Sequence, residues 1–101
     1  MRIAVVKKKP DEKFAVGFKY STADIQADAT ISTVEAVVAR ADGETIEGTD
    51  LAILGSPAKD DRTVSAMVEK GQDGLEYYVT FTVTTSASQV FQDKIFVKVR
   101  S

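Results

Sequence analysis

The stretch GLEYYVTFTV, residues 74–83, sets two tyrosines side by side in a run of residues that favour β-strand. Neighbouring side chains on a strand point to opposite faces, so Tyr77 and Tyr78 meet different surroundings. Tyr77, Val79, Phe81 and Val83 share one face, and Tyr78, Thr80, Thr82 and Thr84 share the other. Burying the first set stabilises by roughly 1.5–3 kcal/mol per side chain. A one-residue slip would bury the threonine hydroxyls instead, so the register is strongly specified. The pattern predicts Tyr77 inside and Tyr78 outside.

Downstream, a turn at SAS (86–88) leads into QVFQDKIFVKVR (89–100). Here Ile95, Val97 and Val99 point inward, and Phe96, Lys98 and Arg100 point outward. These two strands make the longest hairpin of the chain. A bulge near Asp93 is the alternative that would reverse the last strand and carry Phe96 inside. Upstream, GQDG (71–74) reads as a tight corner that needs positive φ at its glycines. Asp73, Leu75, Tyr77 and Val79 follow one another by twos. Immunoglobulin domains show this spacing at a corner where the tyrosine hydroxyl bonds back to nearby backbone. Gly71, Asp73, Gly74 and Tyr77 are therefore read as a structural corner, with an ordinary core tyrosine as the alternative. Val79 fills the place of the usual cysteine, so no disulfide joins the sheets.

The rest of the chain continues in strands. RIAVVK (2–7) is a first strand, and Pro10 ends any ladder in the turn that follows. FAVGFKY (14–20) puts Phe14, Val16, Phe18 and Tyr20 on one face. STADIQADAT (21–30) reads as a loop. ISTVEAVVAR (31–40) is ambiguous, because its alanines and Glu35 favour helix while its valines and threonines favour strand. Its place among strands favours strand, with Val34, Ala36 and Val38 facing one way and Glu35 and Val37 the other. A turn at Asp42-Gly43, a short strand in DLAIL (50–54), a loop at GSPAKDD (55–61) and an alternating RTVSAMVEK (62–70) complete the order. About seven strands with a turn signal every ten residues or so predict an all-β fold. The expectation is a single domain over 1–101, an antiparallel two-sheet sandwich of the immunoglobulin or fibronectin type III kind.

Composition narrows the chemistry. With 101 residues there is room for one domain with a sizeable core. No cysteine and no histidine are present, which removes thiolates, the usual metal ligands and the commonest general base. Net charge is -2, from 13 basic and 15 acidic residues, which argues against a nucleic-acid partner. Lys7, Lys8 and Lys9 read as the solvated end of an edge strand, with a phosphate- or membrane-binding patch as the alternative. No stretch approaches the roughly 18 apolar residues of a membrane span, so no membrane partner is expected. Ile3–Val6 is too short for a signal peptide, and the chain opens on Met1. The expectation is a small protein made whole in the cytoplasm, with an excised domain as the alternative. Asp42, Glu44, Glu47 and Asp50 lack the spacing of a calcium loop. They read as a solvated acidic loop rather than a calcium site shared with Asp24 and Asp28. No Gly-x-Ser-x-Gly elbow occurs, and a pair of catalytic carboxylates needs a deep cleft. No catalytic, metal-binding or cofactor-binding residue is expected.

The outer sheet face carries the candidate contact residues. The last strand pairs with the one bearing Tyr78, and residues 31–40 flank it on the other side. Tyr78, Phe96 and Val37 then form an aromatic-aliphatic spot on a threonine-rich surface, suited to anchor a protein partner. The alternative is that each is a lone surface residue.

The segment GQDGLEYYVTFTVTTSASQV with the final KIFVKV resembles small immunoglobulin-like proteins encoded among the structural genes of tailed bacteriophages and prophages. In that group a Gly-x-x-Gly corner leads to Tyr-x-Val-Thr, then a Thr-Thr pair, a short turn and a strand ending Val-x-Val. Gly71, Gly74, Tyr77, Val79, Thr80, Thr84, Thr85, Val97 and Val99 occupy those positions. Asp28 and Ile31 are similar to an upstream pair, and FKY (18–20) to an aromatic-ended second strand. The chain departs where Ala87 and Ser88 replace a common glycine and where Lys19-Tyr20 stands for Asp-Trp. The resemblance covers about the last 30 residues. It implies a virion-associated structural or assembly protein that contacts itself or other virion proteins, without catalysis or cofactor. The alternative is a module that binds a carbohydrate or cell-surface glycan through loops 21–30, 42–50 and 55–61.

Overall fold

A computed structural model describes residues 2–25 and 27–101. Met1, and Gln26 within the 21–30 loop, lie outside the described residues. Eight strands follow one another: β1 (Ile3–Lys8), β2 (Phe14–Lys19), β3 (Ile31–Arg40), β4 (Ala52–Ile53), β5 (Ala58–Lys59), β6 (Thr63–Glu69), β7 (Glu76–Thr85) and β8 (Val90–Val99). They form two sheets, one in the order β1-β8-β7-β3 and one in the order β2-β6-β4, with β5 also paired to β6. The architecture is an all-β sandwich, and among the described residues there is no helix.

Alternation sets the core. Val16, Phe18 and Tyr20 face Val64, Ala66 and Val68 across one sheet, and Tyr77, Val79, Phe81, Val83, Ile95, Val97 and Val99 line the other. Phe18 meets the edge of Phe81 at a centroid distance of 6.1 Å, which locks the two layers together. Ile25 and Leu51 plug the sandwich from loops. Residues 31–40 form a strand along their whole length, because pairing with β7 outweighs the helical preference of the alanines. The β7–β8 register runs unbroken from Glu76↔Lys98 to Thr84↔Val90, so no bulge at Asp93 turns Phe96 inward. At the corner, Gly71 has φ 108 and Gly74 φ 87. A Cβ at Gly71 would meet Val99 Cγ2 at 2.9 Å, so only glycine fits there without a shift.

Three expectations are corrected. The sandwich is not wholly antiparallel, since β1 runs parallel to β8. The connection after β1 carries the chain to the other sheet instead of folding back, which leaves β1 free to join β8 in either direction. Second, residues 55–61 contain β5 rather than loop alone. Third, Lys8 is buried. It takes the inward position after Ala4 and Val6, and its ammonium donates to the carbonyls of Lys70 (2.6 Å) and Lys9 (2.9 Å). Burial pushes its pKa down, partly opposed by Glu12, Asp11 and Glu69.

Candidate functional site

The outward face of the β1-β8-β7-β3 sheet is built in rows. Val5 lies opposite Phe96, Phe96 opposite Tyr78, and Tyr78 opposite Ala39. This apolar row crosses all four strands. The next row runs Ile3, Lys94, Thr80, Val37. The structure therefore brings Tyr78 and Phe96 together, edge to face with centroids 4.9 Å apart. Val37 is not directly opposite Tyr78; it sits diagonally, one row along, and is 63% exposed. Val5 and Ile3, 60% and 57% exposed, extend the same surface. Sequence reasoning did not include them, because their outward alternation was visible but the strand they would pair with was not.

Lysines frame the rings. Lys94 Nζ lies 5.2 Å from the Tyr78 ring centroid and Lys98 Nζ 5.9 Å from that of Phe96. Each ammonium is attracted by a ring face while its stem covers ring carbon, leaving both rings half-buried. Lys7 stands in register with Lys98. On the opposite flank lie Glu76, paired with Arg100 at 3.2 Å, and Glu35. The face is apolar at its middle, basic towards β1 and β8, and acidic towards β7 and β3.

The corner sits under one end of this face. The Tyr77 hydroxyl accepts the Gln72 backbone N–H at 3.0 Å and donates to Asp50 Oδ1 at 2.6 Å. Asp50 also accepts the Glu47 N–H (2.8 Å) and the Gln72 side-chain amide (2.9 Å), with Arg40 at 3.8 Å. Burial pushes its carboxyl up, but Tyr77, Glu47, Gln72 and Arg40 together outweigh that and hold it below the usual carboxylate range. Burial and the neighbouring Asp50 push the Tyr77 phenol up. The reading of residues 42–50 as a solvated acidic loop is thus corrected for Asp50, which is buried. The run of acids hid a residue whose partners are 10, 22 and 27 positions away. Asp42 turns instead to Arg40 at 2.7 Å. Among the described residues no group of three or more acids is placed to hold a metal ion. Asp73 receives the Ser101 N–H and hydroxyl, both at 2.8 Å, and so ties down the chain end.

Between the sheets, an open cleft of about 450 Å³ is lined by Arg2, Tyr20, Asp24, Phe91 and Asp93 among others. Tyr20, Asp93, Arg2 and Asp24 are committed to one another there. Tyr20 donates to Asp93 at 2.9 Å, Asp93 accepts the Arg2 N–H at 2.6 Å, and the Arg2 guanidinium pairs with Asp24 at 2.8 Å.

No curated protein matches the chain. A family model does, that of the podophage GP4 fiber-tail adaptor protein gp77, over residues 8–98. The matched span takes in the end of β1 and everything up to the penultimate residue of β8. The likeness to phage structural proteins read from the closing hairpin agrees with it at that level. The chain belongs to the podophage fiber-tail adaptor family, and so to the structural proteins of the virion.

Proposed function

We propose that this protein is a non-catalytic adaptor that joins fibre to tail, and that the outward face of the β1-β8-β7-β3 sheet is where a partner docks. Tyr78, Phe96 and Val37 are the anchors, joined by Val5 and Ile3. The observation that carries this reading is the Tyr78–Phe96 edge contact at the centre of an apolar row on an uncovered sheet face. Half-buried aromatics of this kind, ringed by charge, are what anchor protein interfaces. We further assign the sandwich to the immunoglobulin type, because the orders β8-β7-β3 and β2-β6-β4 are those of its two sheets, with the first strand added beside the last. The corner of Gly71, Asp73, Gly74 and Tyr77 then serves to hold β7, and the face above it, in register.

The test is the double substitution Tyr78→Ser and Phe96→Ser, supplied to particles that lack the native protein. Fibre attachment, counted by electron microscopy, should be lost. Thermal melting of the isolated variant should change by only about 5 °C, as for surface positions. A folded variant that attaches fibres normally defeats the face. The glycan-binding alternative, which the family assignment does not favour, would instead show as binding on a glycan array that survives this double substitution.

A further inference from the structure

We infer that the free edge of β3 is a strand-docking site, occupied in the assembled virion by an extended segment of the protein this adaptor holds. This docking mode rests on the reading of the adjoining sheet face as the contact surface, and it names how the partner engages it.

β3 ends its sheet. In an antiparallel pair, alternate residues direct both backbone groups at the partner strand and the residues between direct theirs away. Just past β3, the Ala41 N–H donates to the Glu76 carbonyl at 3.0 Å. Stepping back by twos, Ala39, Val37 and Glu35 bond to β7 across from Tyr78, Thr80 and Thr82. Val34, Ala36, Val38 and Arg40 therefore aim their N–H and C=O groups outward. The Gly43 N–H taking the Arg40 carbonyl at 3.1 Å agrees with that orientation. Among the described residues no hydrogen bond reaches the outward backbone groups of Val34, Ala36 and Val38. Such a row of donors and acceptors is complementary to one thing, another extended chain.

The other edges are guarded. β1 carries Lys7 and gives way to Pro10, β2 has only six residues and ends on Lys19, and β4 and β5 are two residues each, split by Gly55 and Pro57. β3 is ten residues long and has no lysine, proline or glycine. Its start is tied down, since the Ile31 N–H donates to the Asp61 carbonyl at 3.0 Å and Lys59 Nζ donates to the Ile31 carbonyl at 3.3 Å, so the open part of the edge is 34–38. An open edge is a template for pairing that proteins otherwise avoid, unless it is meant to be covered. Val34, Ala36 and Val38 are half-buried on its inner side, and Val37 and Ala39 are exposed on the outer beside Glu35. Ala39 also continues the row through Tyr78 and Phe96, so a strand laid along β3 reaches the aromatic pair.

The fitting segment is extended and free of proline. It alternates small apolar side chains and presents a lysine or arginine to Glu35, the lone charge within the strand's exposed flank. A second copy of β3 fits less well. Paired about a twofold at Ala36, it would set Glu35 beside Val37 of the other copy and give the carboxylate no cation.

Ala36→Pro tests the edge. The Ala36 N–H is not used by β7, so proline removes a donor that only a docked strand needs, and edge strands tolerate proline at such positions. The variant should melt within about 5 °C of the native protein, yet lower infectivity of complemented particles by at least about tenfold. Should Ala36→Pro fail to fold, Val38→Pro, which removes another outward donor without touching the outer face, must give the same loss. Hydrogen exchange supplies the direct readout. In the isolated protein the amides of Val34, Ala36 and Val38 should exchange fast and those of Glu35, Val37 and Ala39 slowly. In assembled particles the amides of Val34, Ala36 and Val38 should become protected. Fast exchange persisting in particles, or a folded Ala36→Pro that assembles normally, overturns the edge. If Tyr78→Ser with Phe96→Ser still abolishes attachment, the face reading survives that failure. If only the edge variants matter, the face reading falls and the edge stands. Protection of the same three amides that grows with concentration of the isolated protein identifies the occupant as a second copy and overturns the partner segment.

Discussion

Two tyrosine–aspartate pairs cross the interior of this sandwich, and they do so in opposite senses. Tyr77 on β7 reaches Asp50, in the loop that leads into the other sheet, at 2.6 Å. Tyr20, at the end of β2, reaches Asp93 on β8 at 2.9 Å. A chain without cysteine thus links its layers by charge-assisted hydrogen bonds. Both carboxylates are almost wholly buried, Asp50 at 1% and Asp93 at 6% exposure. They differ in what else they hold. Asp50 gathers Glu47, Gln72 and Arg40, and so closes two loops as well as two sheets. Among the described residues Asp93 adds only the backbone N–H of Arg2, whose guanidinium leans over the Tyr20 ring at 5.7 Å. A buried acid matters by the number of donors that depend on it, more than by its burial.

The largest expected effect follows from that count. Asp50→Ala strands the Tyr77 hydroxyl, the Gln72 amide and the Glu47 N–H, and should cost about 3 kcal/mol. Asp93→Ala strands the Tyr20 hydroxyl and one N–H, and should cost about 2 kcal/mol. For a domain of this size those losses lower the melting temperature by roughly 15 °C and roughly 10 °C. Urea denaturation of the two variants side by side is the measurement. Equal losses, or a larger one at Asp93, would break the distinction between a carboxylate that closes loops and one that only joins sheets.

How much of this was legible follows the same divide between local and distant partners. Tyr77 was placed inside by the alternation of its own strand, and its hydroxyl was expected near backbone by the spacing from Asp73. Its strongest partner, Asp50, is 27 residues away in a run of acids that looked solvated, and no local pattern marks one acid of such a run as buried. Asp93 stands at an inward position of β8, two before Ile95, so its burial was implied by the same alternation that placed Val97. Its partner Tyr20 was equally inward on β2, but only the packing of the sheets joins them. Lys8 repeats the lesson: a lysine run states charge, and the phase of the strand decides which lysine is inside. On the outer face, Tyr78 and Phe96 were paired correctly because a tight hairpin fixes its own register. Val5 and Ile3 were missed because β1 reaches β8 by way of the other sheet.

Acid sharpens the comparison on a smaller scale. Asp50 keeps a carboxyl that is harder to protonate folded than unfolded. The unfolded chain therefore binds more protons as pH falls, and stability declines with it. The contribution is complete above the ordinary aspartate range near about 4 and drains away as pH drops through the lower folded value. Asp24, at the other pair's end, is also held low, by the Ser21 N–H first and then the Arg2 guanidinium, but it lies on the surface. Asp50→Asn should flatten the fall in stability between pH 5 and pH 2 more than Asp24→Asn does. Chemical denaturation across that range measures it, and matching slopes would place the acid sensitivity outside the Asp50 cluster.

The smallest effect separates the two ends of β7 by their turns. Before β7 the chain turns on Gly71 and Gly74, both at positive φ, whereas beyond it Ser88 takes φ 64 without being glycine. The far turn is otherwise well bonded. The Ser88 N–H donates to the Thr85 carbonyl at 3.0 Å, and the Thr85 N–H to the Gln89 carbonyl at 2.9 Å. The backbone needs that left-handed residue to close a three-residue hairpin loop, a position that favours glycine. Ser88→Gly removes the Cβ penalty and gives back part of the gain as unfolded-state entropy, for a net stabilisation of about 0.5 kcal/mol. The melting temperature should rise by about 2–4 °C. Lys70, at φ 63, invites the same substitution at the near end. There, however, its carbonyl holds the buried Lys8 ammonium at 2.6 Å, and a looser backbone weakens that grip. Lys70→Gly should therefore gain less than Ser88→Gly; an equal gain would mean that the Lys8 contact does not depend on how stiffly residue 70 is held.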